Sequence, residues 1–168
     1  WSGSSPVVWG DRVFVNSPSK EPPPPPPDPN APPSRAKKGP ARGPATAGPG
    51  GQELLLYCFD RATGRELWSK QLDAGNQIRM KHNSSSPSPV TDGQLVWAMS
   101  GNGKLTCLDF AGNVKWVVDF PAKYGAFGHN HGYGSSPLLV EDRLIIEVLH
   151  GMKTKDPSYP VARSEEHT

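Results

Sequence analysis

The chain has 168 residues, of which twenty are proline, eighteen glycine and only 35% apolar, so any packed core must come from well under its full length. Its formal charge of +2 is local: five basic and two acidic residues lie between Ser17 and Gly50, leaving the remainder at −1. That balance gives the folded part no reason to bind nucleic acid or an anionic membrane. No apolar run reaches the roughly 18 residues of a membrane-spanning helix. The first residue is Trp1 and no leader can be judged, while two cysteines without a CxxC make neither a disulfide framework nor a zinc site.

In chain order, the first element is Ser5-Pro6-Val7-Val8-Trp9-Gly10-Asp11-Arg12-Val13-Phe14-Val15. It is a short apolar strand opened by Ser-Pro, a polar turn and a second apolar strand, which is a β-hairpin pattern. Ser88-Pro89-Val90 to Ala98 and Ser136-Pro137-Leu138 to Ile146 repeat it. A second unit, Leu56-Tyr57-Cys58-Phe59-Asp60-Arg61-Ala62-Thr63-Gly64-Arg65-Glu66-Leu67-Trp68, recurs one residue shorter as Leu105-Thr106-Cys107-Leu108-Asp109-Phe110-Ala111-Gly112-Asn113-Val114-Lys115-Trp116. In its turn the Asp side chain can accept from N–H groups just ahead, and the Gly supplies positive φ. The Trp on the outgoing strand is large enough to pack on a neighbouring sheet. Two hairpins per unit, repeated, describe the four-stranded blades of a β-propeller, an all-β fold.

The spacing locates an interruption. Pro89 and Pro137 are 48 residues apart and Cys58 and Cys107 are 49, but Pro6 and Pro89 are 83 apart. Pro89 to Cys107 is 18 residues whereas Pro6 to Cys58 is 52. Both excesses place one insertion between the second and third strands of the first blade. The expected organisation is blade 1 from residues 1–16 and 52–75, a proline-rich insertion at 17–51, blade 2 at 76–120 and a partial blade 3 at 121–162. The insertion holds thirteen of the twenty prolines. Glu21 to Pro29 favours solvated polyproline II, and Arg35 to Gly51 lacks hydrophobic periodicity, so a disordered surface loop is expected. Such a segment could also dock in an aromatic-lined groove or act as a basic tether.

These residues carry a resemblance. Asp60-x-x-Thr63-Gly64-x-x-x-Trp68 resembles the tryptophan-docking repeat of the PQQ-like (pyrrolo-quinoline quinone repeat, BamB-like) β-propeller family, and Ser-Pro-Val-Val with its turn resembles that family's inner strands. Tyr124 to Gly128, Gly132 to Pro137 and Val148 to Lys153 are similar to environmental bacterial members of it. Cys58 and Cys107 depart from it, standing where alanine is usual, as does Ala-Gly for Thr-Gly in the second turn. The resemblance implies a disc of seven or eight blades, of which this chain holds two nearly whole and part of a third. Open blade faces are then expected to associate, with poor solubility or a broad melt. The last six residues, Arg163 to Thr168, fall where an Asp-x-x-Thr-Gly unit is due. They match the conceptual translation of a sequencing adapter, and are expected to be an artefact at a broken gene end.

Candidate chemistry is sparse. His129-Asn130-His131, with His150 or His82 as a third ligand, is the one metal-like constellation, set against a plain connecting loop. Cys58 and Cys107 are expected as free buried thiols, because neighbouring sheets pack about 10 Å apart and a disulfide reaches roughly 7 Å. Trp68, Trp97 and Trp116 read as packing residues, and Asp60 and Asp109 as turn caps, so no catalytic, cofactor or metal residue is assigned. The resemblance implies a non-catalytic binding or scaffold module for a protein or small ligand, completed by further blades of its own chain. It also implies a periplasmic or otherwise extracytoplasmic location. Its alternative is a fragment of a PQQ-dependent quinoprotein dehydrogenase, which would hold PQQ and calcium and often carries a Cys-Cys pair. A third reading is partner recruitment by the proline-rich insert.

Overall fold

A computed structural model describes residues 2–20, 50–77, 82–128, 132–151 and 154–164. The first sheet joins β1 (Val7–Trp9), β2 (Arg12–Pro18), β3 (Glu53–Asp60) and β4 (Glu66–Ala74) in that order, each antiparallel to the next. The second joins β5 (Val90–Thr91), β6 (Leu95–Met99), β7 (Lys104–Asp109) and β8 (Val114–Asp119) in the same way. The third has β9 (Leu138–Val140), β10 (Arg143–Val148) and β11 (Tyr159–Ser164), with β10 in the middle. These are meanders of a partial β-propeller, as the repeat arithmetic leads one to expect.

Burial follows from which faces are covered. In β2 and β3 every second residue is buried, with Phe14, Leu56 and Cys58 turned toward the second sheet. In β6 and β7 both faces are buried, because this sheet lies between the other two. One core forms where Phe14, Leu56, Cys58 and Leu72 meet Val96, Ala98 and Leu108. A second forms where Trp97, Met99, Leu105 and Cys107 meet Leu144, Ile146 and Val148. The ladder registers keep repeat positions in step: Phe14 pairs with Cys58 as Trp97 pairs with Cys107. The bulge after the cysteine also recurs, between Cys58 and Phe59 and between Cys107 and Leu108.

Three boundaries differ from the sequence expectation. Strand β2 runs through Ser17 and Pro18, which pair with Leu55 and Leu54, so the base of the insertion belongs to the ladder. Proline supplies no N–H, but Ser19 N–H donates to Glu53 O at 2.8 Å and the pairing continues past it. The rest of the insertion, residues 21–49, lies outside the described residues. A short helix, α1 (Phe120–Tyr124), straddles the expected boundary at 120 and 121. Asp119 caps it by accepting from Ala122 N–H at 2.9 Å, Pro121 sits in its first turn, and buried Phe120 anchors it in the second core. Finally, β11 extends two residues past Ala162, with Arg163 opposite Leu144 and Ser164 opposite Arg143. By register Arg163 holds the place of Leu108 and Ser164 that of Asp109. Residues 165–168 lie outside the described residues.

Candidate functional site

The two Asp-Gly turns are built as their residues dictate. Asp60 Oδ1 accepts from Thr63 N–H at 2.8 Å and from the Thr63 hydroxyl at 2.7 Å, and Gly64 follows at φ +70°. Asp109 Oδ1 accepts from Ala111 and Asn113 N–H, its Oδ2 takes the Asn113 amide and Lys115 Nζ at 2.9 Å, and Gly112 has φ +86°. The Thr63 hydrogen bonds hold the Asp60 carboxyl below its ordinary range, and Lys115 with Asn113 does the same more strongly for Asp109. Both carboxylates are thus committed to their own loops.

The tryptophans join neighbours. Trp68 on β4 reaches the β7–β8 turn of the second sheet, where its Nε1 donates to Phe110 O at 3.0 Å. A Cβ on Gly112 would lie 3.0 Å from the indole, so that turn is shaped to receive it. Trp116 holds the same place on β8 and faces the third sheet, with the Arg163 guanidinium 4.6 Å above its ring. Trp97 is fully buried in the second core. Cys58 and Cys107 are fully buried and unbridged, and burial pushes the Cys58 thiol up to about 11.

His129, Asn130 and His131 lie outside the described residues. The two further histidines do not share a site of their own. His82 lies against Gly3, Gly132 and Gly134. His150 is buried with Nδ1 2.9 Å from Pro157 O and Nε2 2.8 Å from Tyr124 O, so both ring nitrogens already face carbonyl oxygens. Among the described residues no three His, Cys, Asp or Glu side chains gather as a metal site. Tyr133, buried beside Phe127, donates its hydroxyl to Glu147 O at 2.8 Å, and burial holds its ionisation far above the ordinary range.

The polar feature that ties the sheets together lies just ahead of the inner strands β1, β5 and β9. Three equivalent approach segments, 2–5, 82–88 and 132–136, lie side by side. Ser5 N–H donates to the Ser88 hydroxyl at 2.8 Å, and Ser88 N–H donates to the Ser136 hydroxyl at 2.9 Å. Each serine that opens a repeat therefore bonds its counterpart in the next. Between them Asn83, Ser84, Ser85 and Ser86 are buried but satisfied: Asn83 Oδ1 accepts from Ser85 N–H and from the Ser85 and Ser86 hydroxyls. Ser2 Oγ adds a bond to Ser85 O at 2.6 Å. Asn16 on β2 sends its amide to Pro87 O at 2.8 Å and Met99 O at 3.1 Å. The sequence reading treated Ser-Pro only as a strand opener. Its recurrence at Ser5, Ser88 and Ser136 was the available signal, while nothing in the sequence marks Asn16.

The bonds of this constellation run to backbone groups and between serine and asparagine side chains, several of them from one repeat to another. A family profile described as outer membrane protein assembly factor BamB matches residues 52–153. The chain belongs to the BamB family of PQQ-like repeat proteins. Its match takes in both Asp-Gly turns, both cysteines and the Asn83–Ser86 segment, and leaves β1, β2 and β11 outside. Among solved structures the chain is similar to the crystal structure of BamB from Moraxella catarrhalis, at 20% identity with a TM-score of 0.41. That alignment covers 68% of this BamB-family chain and 28% of the Moraxella chain, so the chain spans well under a third of that protein's length. No curated protein matches it by sequence. No helix among the described residues is long and apolar enough to cross a membrane.

Proposed function

We propose that this BamB-family chain is a non-catalytic binding scaffold of a bacterial envelope, working outside the cytoplasm and presenting its inter-strand loops to a protein partner. The supporting observation is how its polar side chains are used. Asp60 and Asp109 close turns, Ser5, Ser88 and Ser136 pin inner strands to one another, and Asn16 latches two backbone carbonyls. The chemistry of the repeats is spent on holding blades rigid, which is what a scaffold needs. Trp68 is read as the docking residue of this wall.

The experiment is a titration of the purified chain against isolated outer-membrane assembly proteins, run beside a dye-reduction assay with PQQ and calcium. Saturable protein binding without dye reduction is the expected result. PQQ- and calcium-dependent turnover would sink the scaffold reading and favour the dehydrogenase.

A further inference from the structure

The turn between β6 and β7 holds the only Asn-Gly pair in the chain, Asn102-Gly103. The fold makes use of both residues. The Asn102 side-chain amide crosses from the second sheet to the end of β4 in the first, donating to Ala74 O at 2.9 Å with Gly75 O and Asp73 Oδ2 each at 3.4 Å. Asp73 is itself engaged by Lys104 Nζ and the Ser100 hydroxyl, so these side chains form one latch between the two sheets. Gly103 has φ +97°, and a Cβ there would lie 2.6 Å from Pro121 and 2.8 Å from Phe127. No larger residue fits at 103. Its carbonyl also accepts from Phe120 N–H at 3.0 Å, which ties the start of α1 to the turn.

An asparagine followed by glycine is open to attack by the next backbone nitrogen, because no Cβ keeps that nitrogen away from the side-chain carbonyl carbon. We propose that Asn102 is a site of spontaneous deamidation, and that its product unlatches the first sheet from the second. The Gly103 nitrogen gives up its proton and bonds to Asn102 Cγ. The Cγ–Nδ2 bond breaks, and ammonia leaves with that proton as a cyclic imide closes. Water then opens the imide at one carbonyl or the other, leaving aspartate or isoaspartate. In the closed turn Gly103 N–H donates to Ser100 O at 2.9 Å, so attack occurs when the turn opens and the reaction records that opening.

Either product exchanges an amide donor for a carboxylate. Ala74 O and Gly75 O lose their N–H partner, and a new negative charge is set against the Asp73 carboxylate. Isoaspartate also lengthens the backbone ahead of Gly103 by a methylene, which displaces the carbonyl that holds Phe120 N–H.

Peptide mapping of the full chain by mass spectrometry, after ageing in mildly alkaline buffer, tests the reaction. Amide exchange on the same samples tests the unlatching. Conversion of amide to acid is expected at Asn102 ahead of every other asparagine in the chain. The aged chain is expected to lose exchange protection at Gly103 and Phe120 N–H while the β6–β7 ladder keeps its own. Asn102→Asp should show that loss without ageing. Asn102→Gln should age without it, since the longer side chain closes the ring far less readily. The proposal is overturned if Asn102 stays intact or another asparagine converts first. Conversion that leaves Gly103 and Phe120 protected overturns it too, as does an equal loss in aged Asn102→Gln.

Discussion

The two junctions between sheets use the same repeat positions and seal them differently. Between the first and second sheets the closure is polar as well as apolar. Asn16 reaches Pro87 O and Met99 O, Trp68 donates to Phe110 O, and Asp73 takes Lys104 Nζ at 2.9 Å and the Ser100 hydroxyl at 3.0 Å. Between the second and third sheets Met99 stands where Asn16 stood, and Trp97, Met99 and Leu105 press on Leu144, Ile146 and Val148. The serine bond is common to both. One repeat design therefore tolerates either directional latches or bulk at the same place, provided that the inner strands stay pinned.

The largest effect should come from the apolar junction. Trp97→Ala removes a fully buried indole and is expected to cost about 3–5 kcal/mol in urea unfolding. Asn16→Ala tests the latched junction: it strips two buried carbonyls of their donor and should cost about 2–3 kcal/mol. A cost as large as that of Trp97→Ala would show that the latch, not the packing, dominates there.

The ion pair comes next. Burial alone would raise the Asp73 carboxyl, but the hydrogen bond and charge of Lys104, with Ala74 N–H and Ser100, leave it below its ordinary range. A carboxylate depressed in the folded state stabilises above its unfolded pKa of about 3.9, and that stability is lost as pH falls through the depressed folded value. Asp73→Asn should therefore lower stability at neutral pH by about 1 kcal/mol and flatten, but not abolish, the acid limb of a thermal-midpoint profile. Asp60 and Asp109, also depressed, keep the remainder, with the same sign.

The smallest effect is a gain. Glu141 turns the β9–β10 hairpin at φ +54°, where Gly10 and Gly93 serve the equivalent turns. Glu141→Gly should stabilise the third sheet by about 0.5–1 kcal/mol, read as slower amide exchange in β9 and β10.

Much of this was legible in the residues themselves. The Asp-x-x-Thr-Gly turn announces its own hydrogen bonds, because donor and acceptor lie within four residues of one another. Ser-Pro before a β-branched pair announces a strand. The serine relay showed only as the recurrence of Ser-Pro, since Ser5 and Ser88 are 83 residues apart and a hydroxyl before proline looks like ordinary turn chemistry. Helix α1 was not legible, its five residues being too few to show a helical period. The ladder position of Pro18 ran against proline's usual meaning in a strand.

The order of residues along the chain sets the unit: two hairpins, their turns, a 48-residue period and one interruption. Those follow from backbone preferences and side-chain bonds between near neighbours. Which face of each sheet is covered, and which polar residues latch rather than hang in water, came from the packing of the sheets against one another. Those outcomes depend on atoms brought together from different repeats, and a local pattern of residues holds no information about what will lie across from it.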